Sequence, residues 1–121
     1  MSNRRDRIYS CPVEATIDII GGKWKPLIYY LLEDQPMRFG QLRKTLPGIT
    51  QKMLTQHLRE MEEDGIVLRT VYAEVPPKVE YSITEYGETL SPLLHKMLAW
   101  GLEHIKLNHL QFQPLKKFIK D

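Results

Sequence analysis

The amino-acid order predicts a mainly α-helical fold with one small β-hairpin, an α+β architecture. Three observations lead there. Apolar residues recur at helical spacing in four segments before Gly65 and in one long segment after Thr84. Two stretches between them, Val67–Tyr72 and Lys78–Ile83, are rich in β-branched and aromatic residues. The link Ala73-Glu74-Val75-Pro76-Pro77 carries two prolines, which cannot sit inside a ladder and so mark the hairpin tip.

The first helix starts at Pro12, since proline suits a position whose N–H is unpaired anyway. Cys11 is then the N-cap. Glu14 falls at the third helical position, where a carboxylate suits the positive helix end. Ala15, Ile17, Ile19 and Ile20 supply apolar surface, and Gly21-Gly22 ends the helix. The second helix runs from about Trp24 to Glu33 on Leu27, Ile28, Leu31 and Leu32, and Asp34-Gln35-Pro36 breaks it. The third covers about Phe39 to Leu46, before the turn signal Pro47-Gly48.

The fourth helix spans about Gln51 to Asp64, with Thr50 as N-cap and Gly65 just past its end. Stepping about 100° per residue, Leu54, Leu58 and Met61 share one stripe. Lys52, Thr55, Gln56 and Arg59 fall on the opposite face. After the hairpin, a last helix is expected from Thr84 as N-cap, with Glu85 in its first turn, to about Leu107. Residues 1–10 form an N-terminal arm, residues 11–107 the domain and residues 108–121 a basic tail. Phe112, Leu115, Phe118 and Ile119 imply that this tail packs somewhere.

The chain has 121 residues, enough for one domain, and 42% hydrophobic with 26% charged residues is an ordinary globular mixture. No apolar run approaches the roughly 18 residues of a membrane helix, and Met1–Arg7 has no apolar stretch behind it to make a secretory signal. A cytoplasmic protein without a membrane partner is expected. Cys11 is the sole cysteine, which excludes an intrachain disulfide and any zinc site needing two thiolates. A core this small gains from sharing apolar surface in an oligomer.

Net charge is only +2, but its distribution is uneven. Arg38, Arg43, Lys44, Lys52 and Arg59 lie in a stretch without acids, and Glu60, Glu62, Glu63 and Asp64 follow at once. One face is therefore suited to an anion. The order of three helices, a turn, a fourth helix, a hairpin and a last helix is that of a winged helix. The third and fourth helices form its helix-turn-helix, and the fourth enters a DNA major groove. Thr50, Gln51, Lys52, Thr55, Gln56 and Arg59 are the candidate recognition residues. Lys and Arg can pair with guanine or phosphate, and Gln with adenine edges. Arg38, Arg43 and Lys44, with Arg69 and Lys78 on the wing, are candidate backbone contacts.

The chain resembles the HxlR-type family of bacterial transcription regulators, relatives of the MarR type. The residues that carry the likeness are Cys11-Pro12-Val13, Ile20-Gly21-Gly22-Lys23-Trp24, Arg38-Phe39-Gly40-Gln41-Leu42, Ile49–Thr55, Leu58–Gly65, Pro76–Thr84 with Gly87, and Trp100. The match spans Cys11 to Leu107. The resemblance implies a dimeric DNA binder paired largely through its first and last helices. Ile17, Ile20, Leu94, Leu98, Gly101, Leu102 and Ile105 are the candidate interface residues on those helices.

Cys11 carries two readings. A helix N-terminus favours the thiolate, the reactive form, and Arg4, Arg5 and Arg7 would add to this if they folded back. Some members of the resembled family sense oxidants or quinones through a cysteine here. Cys11 is thus a candidate redox or electrophile sensor, and otherwise a small N-capping or interface residue. Trp24 and Trp100 are expected in core or interface. His57, His95, His104 and His109 have no i, i+4 pair and no thiolate beside them, so neither metal nor cofactor is expected. No phosphate loop, nucleophile turn or paired carboxylates suggest an enzyme.

The expected function is a homodimeric regulator, a repressor, reading a pseudo-palindromic duplex, with room for a small-molecule inducer. The alternative is a winged helix used as a protein-interaction module, but the basic, polar outward face of the fourth helix argues against it.

Overall fold

The computed structural model describes residues 6–115. Its elements are α1 (Pro12–Ile20), α2 (Trp24–Asp34), α3 (Phe39–Thr45), α4 (Gln51–Glu63), β1 (Val67–Tyr72), β2 (Lys78–Ile83), a 3-10 turn (Gly87–Leu90) and α5 (Ser91–Leu107). Both strands and the helix order match the expectation. The strands pair antiparallel from Val67 opposite Ile83 to Tyr72 opposite Lys78.

The core lies between α2, α3, α4 and the root of the hairpin. Ile28, Tyr29, Leu42, Leu46, Leu54 and Met61 are almost fully buried there. Thr50 caps α4, its hydroxyl oxygen accepting the Met53 N–H at 3.1 Å. At the other end Gly65 takes φ 79°, a left-handed conformation that glycine adopts without strain. It turns the chain directly into buried Ile66 and Val67, so α4 runs straight into the hairpin. A two-way backbone pairing of Met37 with Tyr81, at 3.0 and 2.8 Å, ties the wing back to the start of α3. This pairing is one residue long, too short to leave a periodicity.

The last helix starts later than expected. Thr84 does cap, its hydroxyl oxygen accepting the Gly87 N–H at 2.8 Å, but it caps a short turn and not α5. Two constraints prevent propagation. A Cβ at Gly87 would run into the Ile66 carbonyl oxygen, so the backbones approach closely there. Pro92, in the first turn of α5, has no N–H to return to residue 88. The buried Tyr29 hydroxyl donates to the Gly87 carbonyl at 2.8 Å and pins the same turn. Burial, then Glu33 and Glu88, push that phenol up to about 12.

Two candidate interface residues belong elsewhere. Ile20 and Leu94 are 2% and 6% exposed because they pack into the subunit's own core, which leaves no side-chain surface for a partner. Periodicity identified their buried face but not what buries it. Trp24 joins the core, whereas Trp100 is 70% exposed and stacks on His104. Leu115 packs against the core, and with Phe112 it borders a cleft formed with Pro26, Leu27, Leu94 and Leu98. Phe118, Ile119 and the tail lysines lie outside the described residues, as do Arg4 and Arg5.

Gly87→Ala is expected to destabilise the protein by about 1–3 kcal/mol, since the added methyl meets backbone that cannot swing away. Gly40→Ala, inside α3 with open space at the Cβ position, should be neutral or gain up to about 1 kcal/mol. Urea denaturation of the two variants beside the parent chain measures both.

Candidate nucleic-acid interface

Burial of one stripe decides what α4 shows. With Leu54, Leu58 and Met61 turned inward, Gln51, Lys52, Gln56 and Arg59 are exposed, and Thr55 is half-buried beside them. Thr50 is exposed at the N-terminus, where its hydroxyl serves the cap. Arg69 projects from β1 towards the same region. Thr55, Leu58, Arg59, Glu62, Arg69 and Tyr81 line one groove of about 390 Å³ between the helix and the wing. The structure therefore brings the wing arginine together with two residues of the outward face.

The remaining cations are arranged around this groove with different standing. Arg38 precedes α3, its backbone N–H bonded to Gln41 Oε1 at 2.9 Å, and its side chain is exposed. Arg43 and Lys44 are exposed in the last turn of α3, where positive charge also suits the helix dipole. Among the described residues, Lys52, Arg43, Lys44, Arg59 and Arg69 form no ion pair. Lys78 does: its ammonium lies 3.5 Å from Glu80 and 5.0 Å from the centre of the Tyr72 ring. Its charge is partly spent inside the hairpin.

Cys11 is exposed at the N-cap of α1. The Glu14 carboxylate turns back to the N–H groups of Ser10 and Cys11, at 2.6 and 3.3 Å. Arg7 does not join the thiol. It pairs with Asp18 at 2.6 Å, and the Tyr9 hydroxyl donates to the same carboxylate at 2.7 Å. Exposed apolar side chains cluster on the outer helices, among them Val13 and Ile17 on α1 and Met97, Leu98, Leu102 and Leu107 on α5.

Two residues of this region escape a reading by charge alone. Lys25, on α2, is 6% exposed, and its ammonium lies 2.7 Å from Glu60 on α4. Glu60 borders the outward face. The signal for Lys25 was its spacing, because it shares a helical face with Ile28 and Leu32. Its charge hid that. No group of three or more His, Cys, Asp and Glu able to hold a metal occurs among the described residues. No helix there is long and apolar enough to cross a membrane.

This arrangement has relatives. A family model described as HxlR-like helix-turn-helix matches residues 19–109. The HTH-type transcriptional regulator YdeP of Bacillus subtilis is 56% identical over 96 residues, 79% of this chain and 75% of that protein. The redox regulator HypR in its oxidised form superposes with a TM-score of 0.75 at 56% identity, covering 77% of this chain and 96% of that one. The reduced form of the transcriptional regulator YodB from B. subtilis gives 0.68 at 41%, covering 76% and 91%.

His57 lies on the inner edge of α4, with its Nδ1 buried and unbonded. Burial and then the nearby Lys25 push its pKa below the ordinary histidine value, and Glu60 opposes them. As pH falls below about 6.5 the unfolded chain binds the proton first, so stability drops from there towards the folded-state pKa. His57→Gln is expected to flatten that loss, read as denaturant midpoints from about pH 7.5 to about pH 5.5.

Proposed function

Since the chain belongs to the HxlR-like helix-turn-helix family, and is thereby a DNA-binding transcription regulator, we propose that it acts as a homodimeric repressor. Two copies of α4 read the half-sites of a pseudo-palindromic operator about 34 Å apart, one turn of the duplex. The dimer occludes promoter DNA. The observation that carries this reading is the outward face of α4, polar and basic, sharing a groove with Arg69 of the wing. Lys52 and Arg59 meet phosphate or guanine, Gln51, Thr55 and Gln56 face base edges, and Arg38, Arg43, Lys44 and Lys78 flank the duplex backbone.

Exposed apolar residues on α1 and α5 support pairing through those helices. The interface is built from Ile17, Leu98, Gly101, Leu102 and Ile105. Trp100, exposed and stacked on His104, extends the same apolar surface.

The signal enters at Cys11, exposed at the first turn of one of the pairing helices. HypR is a redox regulator solved in oxidised and reduced forms, and it shares more than half of its aligned residues with this chain. A peroxide takes the thiolate to a sulfenic acid and is itself reduced. The sulfenic acid then condenses with a second thiol, forming a disulfide and releasing water. With one cysteine per chain, that second thiol is the partner's or a small molecule's. The displaced α1 changes the spacing of the two recognition helices.

The test is affinity for the duplex upstream of the protein's own gene, against random duplex, before and after mild oxidation. Specific binding that falls steeply with salt and is lost on oxidation is expected. Cys11→Ser should bind equally well and ignore the oxidant. Binding indifferent to oxidation in the parent chain would remove the thiol route and leave a small ligand as the signal. Lys52→Ala should lower the salt slope by about 1. Leu98→Glu should yield monomers in sedimentation, with specific binding lost.

A further inference from the structure

Lys25 is the buried charge of the core among the described residues. Its ammonium meets Glu60 Oε1 at 2.7 Å and donates to the main-chain oxygen of Asp18 at 3.3 Å. Stability is a poor reason for such a pair. Removing an ammonium and a carboxylate from water costs several kcal/mol, and well-packed apolar residues of the same volume often do as well or better. The pair instead positions its neighbours.

Glu60 stands one helical turn after Gln56 on α4. Its second oxygen, Oε2, accepts from Gln56 Nε2 at 3.5 Å. The bond is long, so it biases the amide's orientation without locking it. That bias matters for a glutamine on a reading face. Bidentate recognition of adenine needs the amide oxygen and one N–H presented in a fixed order. An amide free to flip presents either order. One N–H turned towards Glu60 leaves the oxygen and the other N–H for the base edge. The same carboxylate would repel phosphates at the margin of a basic face, and Lys25 compensates it from inside the core.

We propose that Lys25 and Glu60 are specificity-determining positioning residues: Lys25 holds Glu60, and Glu60 orients the Gln56 amide for an adenine edge. This rests on the assignment of α4 as the DNA-facing helix.

The experiment selects duplexes from a randomised pool with the full chain and reads the base preference at each position. It compares the parent with Gln56→Ala, Glu60→Gln, Lys25→Met and the Gln56→Ala/Glu60→Gln double variant. The parent is expected to prefer A·T at one position per half-site. Gln56→Ala and Glu60→Gln should each weaken that preference by about tenfold, at the same position and leaving the others intact. The double variant should lose no more than Gln56→Ala alone. Lys25→Met should lose the same position. If it does not fold, the partly exposed Glu60→Gln decides the matter. A purely structural pair would lower the melting temperature and leave the preferences unchanged, which overturns the proposal. So does loss of the position in Gln56→Ala with full retention in Glu60→Gln, an outcome that spares the assignment of α4. Gln56→Ala identical to the parent overturns the proposal and leaves the assignment of α4 to the salt slope of Lys52→Ala, whereas a parent without any preference overturns both.

Discussion

The inward stripe of α4 is the constraint on which the rest of the molecule depends. Leu54, Leu58 and Met61 can leave water only if α2, α3 and the root of the wing close over them. Each such side chain contributes about 1.5–3 kcal/mol when buried, so α4 has one stable rotation about its axis. That rotation alone exposes Lys52, Gln56 and Arg59 together. The wing inherits its position from the same event. Gly65 reverses the chain, Ile66 and Val67 enter the same core, and Arg69 follows two residues later on the same strand face as Val67, exposed beside α4. A groove shared by a helix and a strand therefore arises from one packing decision.

The parts legible in the sequence are those set by local chemistry. Thr50 and Gly65 bracket α4 because an N-cap hydroxyl and a left-handed residue are needed wherever a helix starts and stops in this way. Pro76 and Pro77 place the hairpin tip because they cannot donate to a ladder. The parts that were not legible depend on contacts distant in sequence. Thr84 carries a cap signature, yet the helix waits for Ser91 because Gly87 must pass against the Ile66 carbonyl. Ile20 and Leu94 have the spacing of interface residues, and only the tertiary structure shows that α1 and α5 spend them on the subunit itself. Of the candidate site, the outward face of α4 could be read from 3.6-residue periodicity. The link of Glu60 to a lysine 35 positions away could not.

Electrostatics separates the two ends of the molecule. Around the exposed face of α4, Arg43, Lys44, Lys52, Arg59 and Arg69 form no ion pair among the described residues, whereas in the arm Arg7 is taken up by Asp18. An uncommitted cation near phosphate gains by releasing counterions. A committed one does not, which is why Lys78, held by Glu80 and Tyr72, ranks below Arg69 as a wing contact.

The head of Lys25 also joins α1 to α4 directly. One ammonium serves the Asp18 carbonyl on α1 and the Glu60 carboxylate on α4. The Asp18 side chain is in turn gripped by Arg7 and Tyr9, four and two residues before Cys11. Of the nine residues of α1, Ile20 alone is fully buried, so this helix is lightly anchored by its own chain. A shift of α1 would withdraw one acceptor from a buried ammonium. One buried charge thus ties the helix that follows Cys11 to the helix that carries the basic face.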